Sequence, residues 1–248
     1  MNSNNKLNIE VISLIYRSTR YLKFITEQLK STIDTAYGWD VGIRIVANDA
    51  SLQVVEELKY LDIPYTLYYD PNPSDYYLNR VYRCWNYAGR TSEYDNICFV
   101  NSDMAFSDGW LTNLLKHHDG INIPCSRLVE SGKMLSGLYG VSKNLGRNPK
   151  TFDELGWSEC AEELKEDIIK PGGLYMPCVF NKSRFIESGS YPEGNIYGDG
   201  VGTLGRFIKS GDDYYFHDIL ERGLGMKHIT VFDSLVYHIQ EGEMDASQ

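Results

Sequence analysis

Three short runs of this chain carry residues able to hold a cation or move a proton. Asn101-Ser102-Asp103 closes the apolar run Asn96 to Val100. A carboxylate in that place can bind a hard divalent cation whose other positions go to water and diphosphate oxygens, which suits Mg²⁺ and Mn²⁺. Taken alone, the tripeptide reads first as a turn, since Asn, Ser and Asp all satisfy local backbone groups. Gly211-Asp212-Asp213 opens a helical pattern. Adjacent carboxylates there can divide into a general base and an electrostatic partner, and a positioned base supplies about 10² to 10⁴ in rate. Capping and the helix dipole favour Asp at the same place without any chemistry. His238 ends Val236-Tyr237-His238 in a late strand-like run, where a lone histidine is more often a hydrogen-bonded structural residue than a ligand.

Two further groups are less specific. Asn48-Asp49-Ala50-Ser51 follows the second strand pattern and is either a turn or a nucleoside contact. Arg80 and Arg83 lie three apart on one helix face near Asn79 and Asn86 and are able to reach a diphosphate, although solvated arginines are the default. Gly198-Asp199-Gly200-Val201-Gly202 neither follows the first strand nor opens the first helix, which rejects a Rossmann dinucleotide site. The chain has no GxxxxGK[ST] loop and no GxSxG elbow.

The elements that must carry these residues alternate between strand and helix, the pattern of a mainly parallel sheet with helices on its faces. Leu7 to Ile15 reads as a buried strand. Leu22, Ile25, Leu29 and Ile33 keep helical spacing, and Val41 to Val46 returns to a strand. A helix is expected over Leu52 to Leu61, a strand over Pro64 to Tyr69, a helix over Tyr77 to Ala88, a strand over Asn96 to Val100 and a helix around Trp110 to Leu115. Ligands of open α/β sheets bind outside the carboxyl ends of the strands. The clusters Tyr16 to Arg20, Asn48 to Ser51 and Asn101 to Asp103 therefore converge on one rim. Beyond this point the pattern is less regular: a loop or hairpin over Ser126 to Lys150, an acidic helix over Phe152 to Ile169, a strand over Tyr175 to Phe180, a glycine-rich loop over Ser190 to Gly205, a helix over Asp212 to Arg222, and a strand over Ile229 to Ile239.

Composition sets outer limits. The 248 residues carry 34 acidic and 24 basic side chains, a formal charge of −10, which argues against nucleic-acid binding through a diffuse basic surface. Hydrophobic residues make up 42%, enough for a substantial core and against disorder as the main state. The N-terminal run MNSNNKLN and the interrupted apolar segment after it match neither a signal peptide nor a membrane span, so no integral membrane segment is expected. Five widely spaced cysteines without CxxC pairing read as reduced structural thiols of a cytoplasmic protein, not as a zinc site. The 19 tyrosines suit a carbohydrate surface, but ordinary half-buried strands are the commoner explanation.

In order and spacing these groups resemble the family 2 glycosyltransferases with a GT-A fold. Asn48-Asp49-Ala50-Ser51 is similar to that family's Asp-Asp-Gly-Ser segment, with Asp49 in the nucleoside-contacting position and Asn48 and Ala50 replacing Asp and Gly. Asn79 to Arg90 followed by Ile97 to Asp103 resembles the helix and strand that end in a DxD motif, with Asn101 in place of the first Asp. NSDMAFSDGWLTNLL over Asn101 to Leu115, and PCVFNKSRFIESGSYPEG over Pro177 to Gly194, resemble further segments of it. Asp212-Asp213 matches the Glu-Asp pair, and His238 matches a late metal- or diphosphate-binding histidine.

The resemblance implies a GT-A, Rossmann-like α/β domain with a nucleotide-sugar-binding half over 1–120 and an acceptor and base half over 121–248. It implies a UDP- or GDP-sugar donor, a glycan or glycoconjugate acceptor, and Mn²⁺ or Mg²⁺ held by Asp103 and His238. Tyr16, Arg17, Asp49, Asn79, Arg80, Arg83, Asn101 and Ser102 would contact the nucleotide. Asp213 would be the base with Asp212 beside it, giving inverting transfer, and Tyr175, Met176, Tyr191 and Tyr197 would face the acceptor. Loops at Ser126 to Lys150 or Gly194 to Gly205 would close over the donor. A sugar-phosphate nucleotidyltransferase and a catalytically silent carbohydrate-binding protein of the same fold are the alternatives.

Overall fold

The computed structural model describes residues 7–33, 38–133, 137–194, 196–199, 206–209 and 211–240, with backbone alone at 32–33, 196–199 and 206–209. Its first part runs β1 (Leu7–Ile15), α1 (Thr19–Ile33), β2 (Trp39–Asn48), α2 (Leu52–Leu58), β3 (Tyr65–Tyr68), α3 (Tyr77–Thr91), β4 (Asn96–Val100), β5 (Met104–Phe106) and α4 (Trp110–Lys116). Then come β6 (Asn122–Glu130), β7 (Val141–Ser142), α5 (Glu154–Leu164), β8 (Ile169–Pro171), β9 (Cys178–Asn181), α6 (Lys182–Glu187), β10 (Ile196–Asp199) and β11 (Arg206–Lys209). Finally α7 (Gly211–Asp213) continues as a π-helix (Tyr214–Gly223) into β12 (Lys227–His238).

One mixed sheet holds the order β3-β2-β1-β4-β9-β6-β12-β5, with β7 beside β6 and β8 beside β12. β1, β2, β3 and β4 pair in parallel, as do β6 and β12, while β9, β5 and β8 run antiparallel to their neighbours. Helices cover both faces, so central strands are apolar on both sides and read as unbroken hydrophobic runs. In β4, Cys98 and Val100 join the core under α1, α4 and α5, while Ile97 and Phe99 join the aromatic core under α3 and α6. Tyr21, Tyr191, Tyr215 and Tyr237 are fully buried, which places part of the tyrosine excess inside the protein.

The structure departs from expectation where polar residues find internal partners. Residues 122–130, half of them expected in a loop or hairpin, form a central strand. Ser126 and Ser234 share a buried hydrogen bond of 2.8 Å, and Arg127 lies over the Phe232 ring at 4.5 Å while pairing with Glu166 at 3.1 Å. The acidic helix stops at Leu164, because Lys165 turns extended and residues 169–171 pair with β12 instead. α2 is shorter than its apolar stripe suggests. Part of the expected glycine-rich loop is a hairpin of β10 and β11; residues 200–205 lie outside the described residues, as do the side chains of 196–199.

Candidate active site

Strand register alone brings the rim together. Ile15 pairs with Ala47, Asn48 with Tyr68, and Ser13 with Val100, so the carboxyl ends of β1, β2, β3 and β4 lie side by side. The residues just past these ends form the first group. Asp49 adopts φ 46°, a left-handed conformation that Asp tolerates better than most side chains. Its Oδ1 accepts the Asp70 N–H at 2.9 Å, and its Oδ2 lies 3.4 Å from Arg80 Nε. The Arg80 and Arg17 guanidinium groups sit 5.4 and 4.6 Å from the Tyr16 ring centre. Ser51 N–H donates to the Tyr16 carbonyl at 3.3 Å, closing the corner. Tyr16, Arg17, Asp49 and Arg80 are thus brought together, with a flat ring and two cations beside a carboxylate.

Asn101-Ser102-Asp103 turns between β4 and β5, as the turn reading of the tripeptide expects. β5 then runs antiparallel to β12 with Met104 opposite His238, and β12 runs parallel to β6 with His238 opposite Glu130. These two pairings stack three polar residues in line. His238 Nε2 lies 3.3 Å from Asp103 Oδ2, and its Nδ1 lies 3.3 Å from Glu130 Oε1. Gln240 Nε2 donates to the same Glu130 oxygen at 2.9 Å. Burial alone would lower the His238 pKa, but the Asp103 and Glu130 carboxylates reverse that and raise it to about 10.

The pair takes a divalent ion in exchange for the His238 Nε2 proton, since only the neutral ring has a lone pair to offer. Ligands each about 2.0–2.1 Å from one ion lie within roughly 4.2 Å of each other, and the Asp103–His238 separation of 3.3 Å meets that limit. Glu130 behind the ring fixes its orientation, as carboxylates do behind metal-bound histidines. Among the described residues no cluster of three or more His, Cys, Asp or Glu is arranged to hold a metal.

The acid pair sits at the start of the helix before β12. Gly211 packs so closely that a Cβ would lie 2.6 Å from the Gly194 carbonyl and 3.0 Å from the Tyr82 ring, which leaves room only for glycine. The Tyr82 hydroxyl lies beside Asp212 and pulls its pKa down. Burial, with Asp213 adding to it, lifts the Asp212 carboxyl to about 6 against the pull of Tyr82. Asp213 Oδ1 accepts from the Tyr175 hydroxyl, which also lies 3.2 Å from His217 Nε2. Tyr175 precedes β9, whose first residue Cys178 pairs with Phe99 near the carboxyl end of β4. The Asp213 contact therefore belongs to the same rim. α3 spans the two groups, since Arg80 faces Asp49 and Tyr82 lies beside Asp212.

Other expected contacts move. Arg83 does not face a diphosphate: its Nε and Nη2 grip Asp70 at 2.9 Å each, and its Nη1 reaches Asp75 at 3.1 Å and Glu193 at 2.9 Å. Its guanidinium is committed to three carboxylates. Asn79 donates to Asp75 at 3.0 Å and packs against Gly194, so it braces the loop. Tyr191 is 2% exposed inside the aromatic core, which removes it from any acceptor surface. Met176 is half-buried between the two cores, and the Tyr197 side chain lies outside the described residues. Sequence reasoning missed Glu130, His217 and Glu221. Their signal was only strand register and an i, i+4 pair in a helical run.

No protein-family model matches the chain. No curated protein matches it either. Solved structures do. A mannosyltransferase from Pyrobaculum calidifontis in complex with GDP-Man and Mn²⁺ aligns over 96% of this chain and 59% of its own, at 11% identity and a TM-score of 0.57. S. aureus TarS 1–349 in complex with UDP-GlcNAc aligns over 98% and 61%, at 16% identity and 0.54. GalNAc-T7 with UDP, GalNAc and Mn²⁺ aligns over 95% and 44%, at 11% and 0.52. The chain thus spans less than two thirds of each of these structures. The likeness gives it the GT-A fold, a mixed α/β domain with a mostly parallel central sheet. Among the described residues no helix is long and apolar enough to cross a membrane.

Proposed function

We propose that this protein is an inverting glycosyltransferase that moves a sugar from a UDP- or GDP-linked donor to a hydroxyl of a glycan or glycoconjugate. The observation that carries the reading is the convergence, on one rim of a GT-A sheet, of the Tyr16-Asp49-Arg80 corner, the Asp103–His238 pair and the Asp212-Asp213 pair. The neighbours described with GDP-Man, UDP-GlcNAc and Mn²⁺ support it. Residues 1–120 would hold the donor, and 121–248 would supply the acceptor surface and the base. The five buried free thiols suit a reducing compartment, in keeping with a cytoplasmic enzyme.

The corner after β1 and β2 has the parts to seat a nucleoside: the Tyr16 ring for stacking and Asp49 as an acceptor for hydroxyl or imide protons. Asn101 and Ser102 would line the diphosphate path. Asp103 and His238 would hold Mn²⁺ or Mg²⁺, a Lewis acid that offsets negative charge on a departing diphosphate. Asp213 accepts the acceptor's hydroxyl proton as that oxygen bonds to the anomeric carbon. The anomeric C–O bond to the diphosphate breaks on the opposite face, its electron pair leaving with the phosphate. One displacement of this kind inverts the centre, by the logic of an inverting glycosidase.

A thermal-shift panel of UDP, GDP, CDP and their sugar conjugates, with and without Mn²⁺, tests the reading. A ligand at about 100 times its dissociation constant stabilises the fold by roughly 2.7 kcal/mol. A metal-dependent response to one base supports the transferase and identifies the donor class. No response to any of them sinks it and favours a silent carbohydrate-binding protein.

A further inference from the structure

Asp213 is not an isolated base. Its Oδ1 accepts from the Tyr175 hydroxyl, the same hydroxyl lies 3.2 Å from His217 Nε2, and His217 Nδ1 lies 2.9 Å from Glu221 Oε2. Four side chains from the segment before β9 and from the helix before β12 form one string. The Tyr175 ring is fixed from behind, 4.7 Å from the Phe216 ring and stacked 5.5 Å from His228. His228 is itself anchored, with Nε2 3.2 Å from the Leu174 carbonyl.

Donor and acceptor types decide what this string can do. A carboxylate only accepts, so the Glu221 contact calls for the proton on His217 Nδ1, and a neutral ring then presents Nε2 as an acceptor. The single Tyr175 hydroxyl proton therefore has two acceptors, Asp213 Oδ1 and His217 Nε2. Burial, followed by Asp213, pushes the Tyr175 phenol well above its ordinary pKa, which keeps that proton in place.

We propose that Tyr175 is the positioning residue of the Asp213 base and that its hydroxyl serves both protonation states of that carboxylate. This rests on the transferase reading above. Before transfer, Tyr175 donates to Asp213 Oδ1 and turns the other oxygen toward the acceptor. The acceptor O–H bond then breaks and its proton stays on Asp213. Tyr175 O–H rotates to His217 Nε2, and the Tyr175 oxygen accepts from the new carboxylic acid. No proton leaves the string, and His217 and Glu221 are needed only to keep the second acceptor in place. The charged and titratable groups facing Tyr175 are Asp212 and Asp213 of α7, His217 and Glu221 of the π-helix, His228 of β12 and the Cys125 thiol of β6.

The test has one readout independent of turnover. In the full chain labelled with [¹³Cζ]tyrosine, the Tyr175 resonance, assigned by its loss in Tyr175→Phe, should step as pH falls through the carboxylate range. The step should persist in Asp212→Asn and vanish in Asp213→Asn. The acceptor role of His217 is read where its ring is neutral, at about pH 8: folded His217→Phe should lose kcat with donor KM within about twofold, whereas a merely structural His217 would change melting alone. A flat wild-type resonance, or wild-type kcat in folded His217→Phe, overturns the proposal. The second readout is nucleoside diphosphate release from UDP-GlcNAc and GDP-mannose. Folded Tyr175→Phe should lose about 10- to 100-fold in kcat with donor KM within about twofold, the scale of a misplaced catalytic group. Full turnover in Asp213→Asn defeats the base assignment itself, whereas an inactive Asp213→Asn beside a fully active Tyr175→Phe defeats only the positioning role.

Discussion

Asp103 Oδ2 lies 3.3 Å from His238 Nε2 because two strand pairings fix both residues from the backbone: β12 against β5 sets His238 across from Met104, and β12 against β6 sets it across from Glu130. Asp103 closes the short turn into β5, and its carbonyl accepts the Ile239 N–H at 3.0 Å, so the turn is tied to the end of β12. A site built on strand ends loses little entropy when a ligand arrives, which favours a preorganised cation and diphosphate seat.

Glu130 should therefore matter without touching the ion. Its carboxylate holds His238 Nδ1, and replacing such a partner typically costs about 10- to 100-fold in metal affinity. Glu130→Gln should weaken Mn²⁺ binding on that scale in the presence of nucleoside diphosphate, and Asp103→Ala should abolish it. Electron paramagnetic resonance titration of free Mn²⁺ reads both. Wild-type affinity in Asp103→Ala would remove that residue from the site.

Asp213→Asn should abolish transfer, by about 10² to 10⁴ in kcat, while leaving nucleotide binding nearly intact. Asparagine keeps the shape and can still accept from Tyr175 but cannot take a proton. Calorimetric nucleotide binding beside turnover separates the two effects. Unchanged turnover would take Asp213 out of the mechanism.

Much of the first half was legible because β1, the end of β2 and β4 are buried on both faces and its helices are amphipathic, so apolar periodicity reports them directly; Leu7–Ile15 and Asn96–Val100 match the sequence reading residue for residue. The second half was less so for a physical reason. Residues 122–130 carry Asn, Ser, Arg and Glu that find internal partners, and local composition does not reveal a partner far along the chain, as Ser126 and Ser234 show. The same limit applies at the site. Asp103, Asp213 and His238 stand out by type and place, whereas Glu130 and His217 gain meaning only through register and a helical turn. Arg83 shows the converse, because nothing local in the sequence says that one guanidinium meets three carboxylates.

Two buried groups should oppose each other in the acid range. Burial raises Asp212 from 3.8 to about 6, so its contribution is full below pH 4 and is lost as pH rises through 6. Burial lowers His228 from 6.5 to about 4, so its contribution is full above pH 6.5 and is lost as pH falls through 4. Each shift is worth on the order of 3 kcal/mol. Asp212→Asn should make the protein visibly more acid-sensitive between pH 6.5 and 4, and His228→Phe should make it gain stability over the same interval. Urea midpoints at pH 4.5 and 7.5 measure this; parallel pH profiles in all three proteins would contradict both assignments.

Arg83 makes the strongest structural prediction. Asp70 has a fully buried side chain, and burial would raise its pKa, yet the Arg83 fork and the Asn72 N–H hold it below the ordinary carboxylate value. Removing the guanidinium strands that charge. Arg83→Met should cost about 3–5 kcal/mol, the usual loss when one partner of a buried pair is deleted. Arg83→Lys should recover only part of it, since an ammonium cannot match two carboxylate oxygens in parallel. Arg83→Met combined with Asp70→Asn should be less damaging than the single change, because no unpaired charge is left inside. Urea denaturation of the three variants supplies the comparison. Nucleotide affinity of the folded fraction should stay within about threefold of wild type, well short of the tenfold that 1.4 kcal/mol represents. A larger loss there would return Arg83 to the diphosphate, against the geometry that ties it to Asp70, Asp75 and Glu193.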